Sequence, residues 1–121
     1  MLAAVWQVEL FVVRQVLPRL PREERHRLGD QLLRAARSTT ANIAEGYGRF
    51  HYLDYAKFCT NARGSCYEVL DHLITARDEN LIPGELLAEG RNLTGTAVRL
   101  LNGYLNYLKQ HKAEPPITNN K

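Results

Sequence analysis

Residues 34–49 read RAARSTTANIAEGYGR, and the order of small, polar and apolar side chains in them decides the fold. Ala35, Ala36, Thr39 and Ile43 recur at intervals of three and four, the repeat that holds side chains on one face of an α-helix. Ala35, Ala36, Ser38, Ala41 and Ala44 keep this helix thin, so another helix can approach closely. Asn42 and Glu45 stand among these alanines at positions expected to face other helices. That pattern points to buried polar pairing and not to a catalytic loop. Gly46 and Gly48 then supply the backbone freedom of a helix C-terminus.

Working outward, Leu28 and Leu32 extend the apolar stripe back toward Arg22, where Glu23 and Glu24 favour the positive end of a helix. Pro18 and Pro21 separate this helix from one over residues 2–17. There Val5, Val8, Val12 and Val16 form one stripe, while Trp6, Leu10, Phe11, Val13 and Leu17 cover much of the remainder. A helix apolar nearly all round is buried on more than one side. In a domain of this size, the second side is expected to meet another subunit.

A third helix is predicted over residues 53–80, with Tyr55, Cys59, Ala62, Cys66, Val69, Leu70, Leu73 and Ile74 on its stripe, ending before Pro83-Gly84. A fourth, over residues 85–112, aligns Leu86, Leu93, Ala97, Leu100, Leu101, Tyr104, Leu105 and Leu108. Gly90, Gly95 and Gly103 weaken it by about 1 kcal/mol each unless close packing compensates. No strand pattern is present. The expectation is an all-α chain, an antiparallel up-down four-helix bundle over residues 1–112. Residues 113–121, with Pro115-Pro116 and Asn119-Asn120, are expected to form a disordered C-terminal tail.

The chain has 121 residues, 45% apolar and 24% charged, the balance of one globular domain. Its apolar N-terminal stretch is interrupted by Gln7, Glu9, Arg14 and Gln15 and is too short to span a bilayer. No membrane partner is therefore expected, and the chain is read as cytoplasmic. Cys59 and Cys66 are seven apart on one predicted helix, roughly 10 Å along its axis, too far for a disulfide. They read as small core hydrophobes.

No catalytic constellation, cofactor motif or metal set emerges, so the chain is read as not an enzyme. Gly46-Tyr47-Gly48-Arg49 follows a helix and lacks both the third glycine and the Lys-Ser/Thr of a phosphate loop. A di-iron bundle wants two Glu-x-x-His motifs; Glu68 and His72 are four apart, with no second copy. Glu45 and Glu68 form a candidate carboxylate pair across neighbouring helices. The competing reading, which we favour, is a structural polar network of Asn42, Glu45, Ser65 and Glu68 that satisfies buried groups and fixes helix register.

Charge is uneven. The net charge is +3, and residues 1–49 carry eight basic against five acidic residues. Arg22, Arg25 and Arg27 cluster where the second helix starts, Arg34 and Arg37 follow along it, and Arg49 lies at the next junction. Tyr47, Phe50 and Tyr52 are interleaved there, a mixture that suits phosphates and unpaired bases. The plainer alternative is a solvated arginine face partly paired with Glu23, Glu24 and Asp30. Repetition of such a patch in a homo-oligomer would let weak phosphate contacts add.

The residues also resemble a known group, the bacterial four helix bundle protein family. It is called the intervening-sequence protein family as well, because some members are encoded within inserts in the large-subunit ribosomal RNA gene. Val5-Trp6-Gln7 is similar to the family's opening Val-Trp-Gln. Arg34, Ala35, Ala36, Ser38, Ala41, Asn42, Ile43, Ala44, Glu45, Gly46, Gly48 and Arg49 fit its long signature, and Ala62, Gly64, Ser65 and Glu68 fit a second element. Thr39 departs from the usual isoleucine or valine, His51 from a capping serine, and Asn61 and Arg63 from residues that are often apolar.

The resemblance implies an antiparallel four-helix bundle, a ring-shaped homopentamer and no established enzymatic activity. In a related branch, the accessory variability proteins of diversity-generating retroelements, a positively charged pentameric surface binds nucleic acid and a reverse transcriptase. The expected function is thus a homopentameric nucleic-acid-binding accessory or scaffold, for RNA or an RNA/DNA or reverse-transcriptase complex. A protein–protein assembly module without nucleic acid is the alternative.

Overall fold

The computed structural model of the chain describes residues 1–47 and 52–110. Among them the chain is all-helical, a helical bundle of α1 (Leu2–Phe11), α2 (Arg22–Arg25), α3 (Leu28–Tyr47), α4 (Tyr52–Asp78) and α5 (Gly84–Gln110). The proposed tail, residues 113–121, lies outside the described residues.

The first helix does not run uniformly to residue 17 as expected. After Phe11 it widens into a π-helical turn, Val12–Val16, and then tightens into a 3-10 turn, Leu17–Arg19. Pro18 has no N–H to donate and crowds the carbonyl four residues back, so an ordinary α-helical register cannot run through it. Leu17 instead donates its N–H five residues back to Val12 O. The wide turn leaves Val12 and Val16 buried beside Val5, Val8 and Phe11. The second segment is likewise divided, because the backbone turns at His26 before α3 begins.

α4 ends where Asn80 takes a left-handed φ of 61°. Asn80 N–H donates to Arg77 O at 3.0 Å and Leu81 N–H to Ala76 O at 2.8 Å, the paired bonds of a Schellman cap. Pro83 O then accepts the N–H groups of Leu86 and Leu87 in the first turn of α5.

Packing follows α1 against α3, α3 against α4, α4 against α5 and α5 back against α1. Leu32, Ala35, Ala36 and Ile43 of α3 meet Cys59, Ala62, Cys66 and Val69 of α4 in one buried cluster. Leu100, assigned to the inner stripe from its spacing, instead points outward at 44% exposure, while Gly90 and Thr94 are buried. Thr39, the departure from an apolar position, is fully buried; its hydroxyl donates to Ala36 O at 2.7 Å. That bond removes the cost of burying a hydroxyl, and the remaining shape is close to that of valine.

Cys59 and Cys66 are free and buried, and burial pushes both thiols from 9.0 up to about 11. A raised folded-state value favours the neutral thiol, so this contribution to stability is intact below pH 9.0 and is lost as pH rises through about 11. Near neutral pH the folded protein should leave an aromatic disulfide reagent almost unreacted, and denaturant should release both thiols quickly. Fast titration of the folded chain would contradict this burial.

Candidate nucleic-acid interface

α2, the turn after it and the N-terminal half of α3 carry the arginines. Arg22, Arg25, Arg27, Arg34 and Arg37 are all exposed; Arg49, together with Phe50, lies outside the described residues. The helix repeat accounts for the arrangement on α3, because Asp30, Leu33, Arg34 and Arg37 recur at three and four and share one face. The buried stripe of Leu28, Leu32, Ala35, Ala36 and Thr39 turns that face to solvent.

The arginines divide into two groups. Arg27, itself exposed, approaches the half-buried Glu24 only at 3.9 Å, a long contact worth little. Arg25, by contrast, borders an open groove of about 390 Å3 lined by Leu17, Pro18, Gly29, Asp30 and Leu33. Asp30 and Leu33 also line a second hollow with Arg34 and Arg37, so the two share a wall. Neither Arg22 nor Arg27 lines this surface. The plainer alternative from the sequence paired the arginines in part with Glu23, Glu24 and Asp30. Among the described residues only the Arg27–Glu24 approach exists, and Asp30 has no cation within ion-pair reach. Arg34 and Arg37 therefore present their charge to solvent without a direct ion pair, beside the single carboxylate of Asp30.

Arg25 is fixed at the groove rim because its Nε donates to Leu20 O at 3.3 Å. The closeness of Leu17 and Leu20 to α3 depends on Gly29. A Cβ at that position would stand 3.3 Å from Glu24 O and 3.4 Å from a Leu20 methyl.

Ser38, Asn42 and Ser65 are joined by hydrogen bonds within α3 and across to α4. Ser38 Oγ and Ser65 Oγ share a 2.8 Å hydrogen bond between α3 and α4. Asn42 Nδ2 donates to Ser38 O at 2.8 Å and to Ser38 Oγ at 3.0 Å. Ser38 is thus the hub, a role its i, i+4 spacing to Asn42 could have indicated. Glu68, expected in the network, is 58% exposed at its side chain and approaches His72 Nε2 at 3.5 Å. The alignment is too poor for a hydrogen bond, and that nitrogen has no partner.

Glu45 is exposed on α3. It cannot form a carboxylate pair with Glu68. Ser38 meets Ser65, and the Cβ direction of Gly46 meets Phe58. This antiparallel register sets Glu68 level with Ala35, roughly 15 Å along the axis from Glu45 at 1.5 Å per residue.

Sequence reasoning also missed Arg63, whose Nη1 donates to Asn102 Oδ1 at 2.7 Å and ties α4 to α5. It missed a shallow groove between α1 and α3, where Leu2, Trp6, Ala41 and Ala44 lie together and Thr40 donates to Glu9 at 2.8 Å. Among the described residues no group of three or more His, Cys, Asp or Glu side chains is placed to hold a metal ion. Nor is any helix among them long and apolar enough to cross a membrane.

A family model described as 23S rRNA-intervening sequence protein matches residues 3–103. No curated protein matches the chain.

Proposed function

The chain belongs to the 23S rRNA-intervening sequence protein family, and from that membership we propose a non-enzymatic RNA-binding accessory or scaffold protein acting as a homo-oligomer in the cytoplasm. The observation that carries the RNA reading is the pair of adjoining hollows on which Arg25, Arg34 and Arg37 outnumber the one carboxylate, Asp30. Guanidinium groups in such a row meet successive phosphates well, since each offers a planar fork of donors. The family description names ribosomal RNA, which makes RNA the first ligand to test.

We read the architecture as an antiparallel up-down four-helix bundle, with α1 and its π and 3-10 extension acting as the first helix. Self-assembly is supported by apolar side chains that the single chain leaves in solvent. Leu2, Trp6 and Val13 of the first helix are 38%, 55% and 39% exposed. Gly95 and Gly103 have no atom within 4 Å of where a Cβ would stand, so nothing in the single chain requires glycine there. A ring of five copies would repeat the arginine groove and multiply weak phosphate contacts. A reverse transcriptase or another RNA-processing protein would then be held on the same assembly.

The exposed Trp6 surface also supports the second reading, an assembly module in which the arginines only solubilise the particle. An RNA titration followed by fluorescence anisotropy separates them. Three phosphate contacts per subunit predict a loss of at least about tenfold in affinity between roughly 50 and 200 mM salt. Absence of binding at the lower salt would leave assembly alone.

A further inference from the structure

We propose that the groove between Leu17-Pro18 and α3 holds one unpaired guanine of a single-stranded RNA, read by the Asp30 carboxylate. The proposal rests on the RNA reading above and adds the kind of strand and base. The row of arginines accounts for phosphate contact with any nucleic acid. It does not account for the apolar hollow beside it, nor for an acidic group in its middle.

Leu17, Pro18 and Leu33 offer apolar walls, and Gly29, against which Leu20 and Leu17 pack closely, lies between them. At about 390 Å3 the hollow lies within the range that takes small planar ligands. A flat base can insert between such walls, and the Arg25 guanidinium, tethered through Leu20 O, stands at the rim for stacking or for a carbonyl oxygen. Arg34 lies one helical turn beyond Asp30 and Arg37 nearly two, so the adjoining phosphates would run along α3.

Asp30 chooses the base. It lines both hollows and has no cation within ion-pair reach among the described residues. A carboxylate only accepts hydrogen bonds, so it repels phosphate and prefers a partner with adjacent donors. Guanine alone among the four bases presents two neighbouring donors on its Watson–Crick edge, N1–H and the 2-amino group. Uracil flanks its single N–H with acceptors, and adenine and cytosine pair one amino group with an acceptor nitrogen. In a duplex that edge is occupied, so the guanine must be unpaired.

The test uses the full chain and a short uridine-rich RNA carrying one guanine. Companion strands replace that guanine with inosine, which lacks the 2-amino group, or with adenine, or pair it with a complementary strand. The guanine strand should bind about tenfold more tightly than each companion. Asp30→Asn should abolish this preference while the guanine-free strand binds as well as before or better. Equal binding of all strands by the wild-type chain, or an unchanged preference in Asp30→Asn, overturns the guanine pocket and leaves the RNA reading standing. If none of the strands binds, the RNA reading itself has failed.

Discussion

The double charge reversal Arg34→Glu/Arg37→Glu is expected to weaken RNA binding about a hundredfold or more near 100 mM salt. Two phosphate contacts are removed and two repulsive charges are placed on the same face of α3. The salt dependence should fall with them, by about 0.7 in logarithmic slope for each lost contact to a single strand. Arg34→Lys/Arg37→Lys should fall between, because lysine keeps the charge and loses the planar fork.

The fold should tolerate the reversal. Both side chains are exposed. Arg34→Glu sets a like charge one helical turn after Asp30, and such a pair costs only about 0.3 kcal/mol. Circular dichroism and sedimentation therefore accompany the binding measurement. Unchanged affinity would remove these arginines from the interface. Dissociation of the oligomer would assign them to subunit contacts instead and favour the assembly reading.

The second large effect concerns stability. Gly90 lies where α5 meets both α4 and α1. A Cβ there would fall inside the van der Waals shell of a Leu73 methyl and stand 3.0 Å from Phe11 Cε2. Leu73 and Phe11 are themselves buried, so neither has open space to move into. Gly90→Val should destabilise the chain by about 3 kcal/mol, equivalent to roughly 10 °C in melting temperature.

Gly90→Ala should cost less, because the gain in helix propensity, about 1 kcal/mol, offsets part of the overlap. Combining Gly90→Val with Leu73→Ala should cost less than the sum of the two single changes, by about 1–3 kcal/mol, since one vacancy accommodates the other's excess. Gly95→Ala supplies the contrast. Its Cβ meets nothing within 4 Å, so the same substitution should stabilise the single chain by about 0.5–1 kcal/mol. If Gly90→Val melted like the parent chain, the close approach of the three helices would be wrong.

These two glycines show where sequence reasoning stops. Gly90 and Gly95 share a predicted helix and carry the same propensity cost, yet one faces a packed crossing and the other faces solvent. Spacing alone did not separate them, because an apolar stripe defines a face and not the depth to which a neighbour sinks into it. The same limit misplaced Leu100, which fits the period but lies just past the buried edge of α5. It also added Glu68 to a network on α4 that its exposed position does not reach.

Most of the local chemistry was legible, although the π and 3-10 turns after Phe11 and the break at His26 were not. The three-and-four repeats of Leu28 to Ile43 and of Cys59 to Leu73 marked the helical faces that the structure buries. Pro18 and Pro83-Gly84 marked the breaks, and the signature from Arg34 to Arg49 identified the family that residues 3–103 match. Periodicity, proline geometry and a run of residue types are properties of neighbouring positions, so the chain by itself determines them. The groove beside the arginines is different in kind. It joins Leu17 and Pro18 to Asp30 and Leu33, and only the packing of the 3-10 turn over Gly29 brings them together. Likewise Ser38 meets Ser65 across 27 residues because the register of α3 on α4 places them opposite. Contacts between segments distant in sequence depend on how helices cross, and only the tertiary structure decided which arginines border a pocket and which carboxylate lies inside it.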